Sequence, residues 1–380
     1  MASTLRQAAG SLLVVGLSGT ELSGLERAWI RLVRPGGVIL FRRNIADVRQ
    51  TRALLDEATA LCAEHSFRCV DVEGGTVDRL RDALAPMPSA QAVARAAARQ
   101  GKPDLVRMHG EWIGRAVRAF GFNTTLAPVL DLALPESTAV MGTRAVSADA
   151  EGVIAYAGAL LAGLRAQGVA GCGKHFPGLG AGMLDSHVET PQIERGWKDL
   201  WREDLAPYRA LCAALPMVMV NHGAYPRTPG GRRPASVSPF WITTVLRKRI
   251  GYRGIVFSDD LEMGGILKYM PIEEAVVTAV RAGMDTMEIC HSPELILRGY
   301  EALVREGERS VVFRKLLLHR ASDVRRKRAK LFRKGVAPAL REKQLAALRE
   351  KILQFGEEVR QLADEARRSL PKPDKHVEAT

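Results

Sequence analysis

No apolar run in the 380-residue chain approaches the roughly 20 residues that a membrane-spanning helix requires. The longest, such as Leu12–Leu17 and Val38–Phe41, are of strand length. Only Arg6 precedes the Leu12–Val15 run, which Gly10 and Gly16 bracket, so it is too short for a secretory core and reads as a first strand. Cysteine is scarce and odd in number: Cys62, Cys69, Cys172, Cys212 and Cys290 are scattered, without the spacing of a zinc site. A disulfide scaffold is therefore not expected, and a reducing, cytoplasmic compartment is. His-Glu-x-x-His and comparable ligand pairs are missing, so no metal and no cofactor is expected; a site built from His175, His187, His222 and Asp71 is the alternative. Aromatic residues make up 6% of the chain and none interleaves the densest basic run, Arg325-Arg326-Lys327-Arg328 with Lys330, Arg333 and Lys334. Without a platform for stacking bases, that run reads as a solvated helix face rather than a nucleic-acid interface, despite a net charge of +13.

What is present is a globular composition, 47% hydrophobic and 26% charged, with a repeated alternation of short Val/Ile/Leu runs and longer helical segments. The runs are Leu12–Leu17, Val38–Phe41, Arg68–Val72, Thr125–Leu130, Val169–Lys174, Met217–Asn221, Ile255–Ser258 and Thr286–Cys290. Helix signals lie between them, for example at Asp47–Ala63, Asp149–Gln167 and Ile272–Ala282. Eight such units predict an α/β fold, a TIM (β/α)8 barrel over residues 1–308, with a doubly wound open sheet as the alternative. Polar residues gather at the run ends, where a barrel places its active site: Asp71 and Glu73, Asp131, Lys174 and His175, Asn221 and His222, Asp259 and Asp260. Beyond residue 308 the chain turns basic and nearly glycine-free, predicting a C-terminal helical extension over 309–370 and a disordered tail over 371–380. Leu345, Leu348, Ile352, Phe355, Val359, Leu362 and Ala366 form a heptad stripe, which predicts either a helix docked on the barrel or an oligomer contact.

The stretch Lys174–His187 carries the most chemistry. It leaves a strand, becomes glycine-rich at Gly178, Gly180 and Gly182, and then sets Asp185 two residues before His187. In an extended segment both side chains project to one side, so the carboxylate can fix the imidazole tautomer and raise its pKa, as a proton donor near neutral pH requires. The competing reading is a surface Asp-x-His in a flexible loop. The glycines match neither the Rossmann nor the Walker spacing. Ser258-Asp259-Asp260 offers a carboxylate at a strand end that suits attack on an anomeric carbon, and the bland reading is a helix N-cap. Both hold if one aspartate caps the segment Leu261–Tyr269 while the other faces the substrate.

Lys174-His175-Phe176-Pro177-Gly178-x-Gly180-x₄-Asp185-Ser186-His187, followed by Phe257-Ser258-Asp259-Asp260-Leu261-x-Met263, resembles the family 3 glycoside hydrolases, and within them the bacterial single-domain β-N-acetylglucosaminidases. Supporting matches are Gly37–Phe41 with Asn44, Asp71-x-Glu73-Gly74-Gly75-x-Val77-x-Arg79, Ala127–Asp131 and Pro234-Ala235-Ser236-x-Ser238, so the resemblance spans roughly residues 10 to 300. It implies a retaining mechanism with Asp259 as nucleophile, His187 as acid/base and Asp185 orienting it. A histidine in its neutral form does not repel the Asp259 charge, as a second carboxylate would. By the same matching, Asp71, Arg79, Arg144, Lys174 and His175 hold the hydroxyls and N-acetyl group of the terminal sugar. The implied substrate is a small carbohydrate ending in N-acetylglucosamine, from peptidoglycan fragments. A phosphorylase using the same residues and an inactive barrel serving as a scaffold are the alternatives; a β-glucosidase fits less well, since no second catalytic domain is apparent. Three departures stand out: Leu179 where relatives carry histidine, Thr76 in place of a frequent arginine, and Asn221-His222-Gly223 in place of a small-residue-His-Val pattern.

Overall fold

The computed structural model describes residues 4–182 and 190–368, with side chains through residue 363. Its centre is a closed barrel of eight parallel strands: β1 (Leu13–Gly16), β2 (Gly37–Leu40), β3 (Phe67–Val70), β4 (Thr124–Thr125), β5 (Ala170–Phe176), β6 (Met217–Val220), β7 (Ile255–Asp260) and β8 (Thr286–Ile289). Sequential strands are neighbours, and β8 closes on β1 with Val14 opposite Glu288. This is the TIM (β/α)8 barrel that the eight runs predict, so the open sheet is overturned by the β1–β8 pairing. The fourth run is the exception. Its regular ladder ends at Thr125; Pro128 has no N–H to donate, but the Ala127 and Pro128 carbonyls still accept from the Cys172 and Lys174 N–H groups, and a bridge joins Val129 to Lys174.

Two apolar layers result from strand alternation. Val14, Ile39, Cys69, Leu126, Cys172 and Phe257 fill the barrel interior, while Leu13, Val15, Val38, Leu40, Met287 and Ile289 pack outward against the helices. Helix ends follow side-chain caps: Asp47 starts Val48–Ala60 by accepting from Gln50 N–H, and Asp149 starts Ala150–Ala166 by accepting from Gly152 N–H. The helix Ile272–Ala282 ends at Gly283, whose φ of 114° a side chain would disfavour. All five cysteines are free thiols.

The C-terminal segment closes the far end of the barrel. After the helix Val311–Leu331, Phe332 inserts beneath the strands and meets Phe67 edge-on at 5.5 Å. Part of the basic run is therefore not a solvated face. Arg328 is 1% exposed, spans from the helix to donate to the Gly36 carbonyl at 2.5 Å, and lies over the Phe67 ring, whereas Arg325, Arg326, Lys330, Arg333 and Lys334 are exposed. Its stem covers apolar surface while the guanidinium finds a carbonyl, which a charge-run reading could not foresee. The long helix Glu342–Arg368 docks on the helices Ala90–Gln100 and Asp104–Ala119. Leu348, Ile352, Phe355 and Val359 are buried there, and Phe355 stacks on His109. The heptad stripe from Leu345 to Leu362 thus packs within the chain. The tail 371–380 lies outside the described residues.

Candidate active site

At the C-terminal ends of the strands a cavity of about 220 Å³ is lined by Asp71, Arg79, Arg144, Lys174, His175 and Asp259, together with Phe41, Met141, Leu179, Asp260, Glu288 and His291. Six of the eight residues singled out by sequence therefore meet in one place. The other two, Asp185 and His187, lie outside the described residues.

One wall is a buried charge network. Lys174 extends from β5 and donates to Asp71 at 2.9 Å while lying 2.7 Å from Glu73. Glu73 in turn accepts two bonds from Arg144, from Nε at 2.8 Å and Nη2 at 2.9 Å. Glu73 sits on a short ribbon, Val72–Gly74 paired antiparallel with Val77–Asp78, whose turn exposes Thr76. Gly74 takes φ 92° there, and a Cβ would lie 2.1 Å from the Pro88 carbonyl, so the ribbon that aims Glu73 needs glycine at that point. Burial works against the Glu73 carboxylate, but the Lys174 and Arg144 charges outweigh it and hold the group well below the usual carboxylate range. Against the opposing effect of their own burial, Asp71 and Glu73 together raise Lys174, and Glu73 raises Arg144.

A second layer fixes His175. Asp131, at the end of the fourth run, accepts from the His175 backbone N–H at 3.1 Å and faces its Nδ1 at 2.6 Å; it also accepts from the Leu179 N–H at 2.7 Å. One carboxylate thus orients the imidazole and anchors the first part of the glycine-rich loop. Leu179 is buried and presents its side chain to the cavity where a polar group was the expected pattern. Asn221 completes the support: it donates to the His175 carbonyl and to Tyr225 Oη, both at 2.9 Å, and accepts from Gly223 N–H at 2.7 Å.

Asp259 stands at the end of β7, facing this wall. Burial would raise its carboxyl, yet His175, His222 and Lys174, with the Asp260 N–H donated at 3.0 Å, lower it below the ordinary value. An ionised carboxylate follows. Asp260 behaves oppositely: burial, aided by the Glu262 and Asp259 charges, raises it to about 7. Its Oδ1 accepts from Glu262 N–H at 3.1 Å, but the next helix, Gly264–Leu267, begins four residues later, so Asp260 stabilises a turn rather than capping that helix as expected. Arg79 brings a donor of another kind, since its Nε is buried without a hydrogen-bond partner among the described residues.

The metal alternative is not assembled by its described members. His175 is held by Asp131, and His222 donates Nε2–H to the Asp260 carbonyl at 2.9 Å with Ser236 Oγ 2.8 Å from Nδ1. Among the described residues, Asp260, Glu262 and His291 bring one ligand atom each within 4.8 Å of one another, but the carboxylates already accept from Glu262 N–H and Ser292 N–H.

Residues 4–316 match the model of the glycosyl hydrolase family 3 N-terminal domain. The chain belongs to glycosyl hydrolase family 3. Within this family it is 36% identical over 288 residues to a Beta-hexosaminidase of Stenotrophomonas maltophilia, an alignment covering 75% of this chain and 84% of that one. Identity to a Beta-hexosaminidase of Thiobacillus denitrificans is 39% over 287 residues, covering 74% and 79%. Among solved structures, a family 3 β-N-acetylglucosaminidase from Paenibacillus sp. str. FPU-7 superposes with a TM-score of 0.83 at 31% identity, covering 93% of this chain and 69% of that one. NagZ from Neisseria gonorrhoeae gives 0.75 at 28% identity, covering 93% and 97%.

Glu73, Asp131 and Glu288 are the site residues that sequence reasoning left unassigned. Glu73 had a usable signal: it alternates with Asp71 beyond β3, so both carboxylates project together. Asp131 showed its strand-end position and its place in the Ala127–Asp131 match without a role attached to either, and Glu288 sits inside a strand with no motif around it. This family 3 chain contains no described helix long and apolar enough to cross a membrane.

Proposed function

We propose that the protein is a retaining exo-β-N-acetylglucosaminidase acting on small N-acetylglucosamine-terminated carbohydrates, peptidoglycan fragments among them. The observation that carries this reading is an ionised Asp259 facing a cavity that Asp71, Arg79, Arg144, Lys174 and His175 also line. A cavity of about 220 Å³ suits one sugar unit and leaves the remainder of the substrate outside. Asp259 attacks the anomeric carbon as the glycosidic C–O bond breaks, and the leaving oxygen takes its proton from His187. A glycosyl-enzyme ester results. His187, now a base oriented by Asp185, removes a proton from water, which attacks the same carbon and frees Asp259. The network around Glu73 fixes Arg144 and Lys174 in advance, so little side-chain ordering remains to be done when the sugar binds. The net charge of +13 complements the carboxylates of peptide-bearing fragments, and five free cysteines support a reducing, cytoplasmic compartment.

The test is to incubate the protein with an activated 2-deoxy-2-fluoro sugar and map the labelled peptide. Labelling at Asp259, with loss of turnover of a chromogenic N-acetyl-β-glucosaminide in Asp259→Asn, is expected. A variant that keeps its rate would remove Asp259 as nucleophile. A wild type inert on that glycoside and on muropeptides alike would end the enzyme reading, and sugar 1-phosphate formed in the presence of phosphate would replace hydrolysis by phosphorolysis.

A further inference from the structure

One carboxyl group in the cavity has no part in the chemistry above. Met287 and Ile289 on β8 pack outward with the helices, so alternation turns Glu288 inward, on the same side as Cys290. Glu288 lines the sugar cavity and is 2% exposed. It stands in register with Val14 on β1 and Asp260 on β7, two residues deeper than Cys290, which also lines the cavity. The apolar side chains of the barrel interior, among them Val14, Ile39, Cys69, Leu126, Phe257 and Cys290, lie on this inward side, and Asp71, Lys174, Asp259 and Asp260 share the cavity with it. Its Oε1 is buried without a hydrogen-bond partner among the described residues.

A carboxyl in that setting is costly to the fold, because its Oε1 gives up hydration and receives no hydrogen bond from the described residues in exchange. A leucine of similar length would remove the cost. Retention of a polar group there makes sense when something enters the cavity to satisfy it. Burial pushes the Glu288 carboxyl well above its ordinary range, and the charges of Asp71, Asp260 and Asp259 push the same way against Lys174. A carboxyl shifted in that direction favours its protonated form, which has one O–H to donate and one carbonyl oxygen to receive and so matches a hydroxyl better than a cation.

We infer that Glu288 is a further sugar-recognition residue, a hydrogen-bonding group on the deep side of the cavity that pairs with a hydroxyl of the bound sugar. This rests on the function proposed above. Lys174 and Arg144 are already committed to Asp71 and Glu73, so Glu288 and Arg79 supply the unpaired polar atoms that distinguish one ring hydroxyl from another.

The experiment compares wild type, Glu288→Leu and Glu288→Gln on a chromogenic N-acetyl-β-glucosaminide and on its 3-, 4- and 6-deoxy analogues. Glu288→Leu should raise KM about tenfold, the worth of one hydrogen bond, and change kcat by less than about threefold. One deoxy analogue should cost wild type about tenfold in kcat/KM and cost Glu288→Leu less than about twofold, since the contact is already gone. Thermal midpoints of the variants separate recognition from folding. Should Glu288→Leu fail to fold, Glu288→Gln reads the same series, where a changed penalty at one hydroxyl supports the inference. Identical penalties in the wild type and the folded variant, or a KM for Glu288→Leu within about twofold of wild type, would overturn it. In that event an active wild type leaves the proposed function standing; a wild type inert on every glycoside removes both.

Discussion

Glu73 gives the sharpest test of how this site is built. Replacing it by glutamine keeps the volume but removes the charge that balances Arg144 and shares Lys174. Three short contacts are affected, at 2.8, 2.9 and 2.7 Å. Hydrogen bonds to charged groups contribute about 1.5–3 kcal/mol each, but Asp71 continues to hold Lys174 and the amide oxygen can still accept one bond. The net loss is therefore set by breaking one buried pair, about 3 kcal/mol. Arg144→Gln should cost less, because Glu73 then keeps Lys174, and the double variant should show a coupling of about 2 kcal/mol. Denaturant unfolding of the four proteins gives the cycle. The pH dependence supplies a second check. The folded-state pKa of Glu73 is depressed from 4.5, so its stabilisation is present above that value and is lost as pH falls below it. The gap between wild type and Glu73→Gln should accordingly narrow in acid. A coupling below about 0.5 kcal/mol, or a gap that does not narrow, would refute the claim that this ion network is a unit.

Asp260 should show the reverse pH behaviour. Its folded pKa is raised from 3.8 to about 7, so the penalty of charging it grows from about pH 4 to 7; relative to wild type, Asp260→Asn should gain stability across that window and hold the gain above it. Thermal melts at pH 4, 6 and 8 check this, and a constant difference would contradict it. Asp131→Asn removes the carboxylate that faces His175 Nδ1 and accepts the His175 and Leu179 N–H groups, and should lower kcat/KM about tenfold or more through misdirected His175, with far smaller effects if the imidazole is held by other contacts. Ile352→Ala on the docked C-terminal helix should cost about 2–4 kcal/mol, as for a fully buried side chain, while kcat at saturating substrate stays near wild type; a loss under about 0.5 kcal/mol would mean that the helix detaches freely.

Much of the barrel was legible because its strands are short apolar runs with helical spacers between them, and local pattern alone carries that information. The helix Ile272–Ala282 falls where its periodicity places it, and Asp47 and Asp149 cap the helices whose starts they mark. Asp259 and the cluster at Lys174 were visible as polar residues ending apolar runs, with a motif to give them meaning. The fourth run is regular strand only at Thr124–Thr125 and irregularly paired beyond, since strand propensity does not register the donor missing at Pro128.

What sequence determined by itself, then, was the architecture and the side chains that stand at strand ends, both of which follow from local order along the chain. Tertiary structure alone decided the rest: that Glu73 ties Arg144 to Lys174, that Asp131 holds both His175 and the glycine-rich loop, that Arg328 turns inward, and that the heptad stripe is covered by the barrel's own helices. Each of these joins residues far apart in the chain, and their energies come from burial and charge pairing that exist only once the barrel has closed. Glu288 is the extreme case. In sequence it is one acid inside an apolar strand, and only the closed barrel reveals that no described residue answers its Oε1.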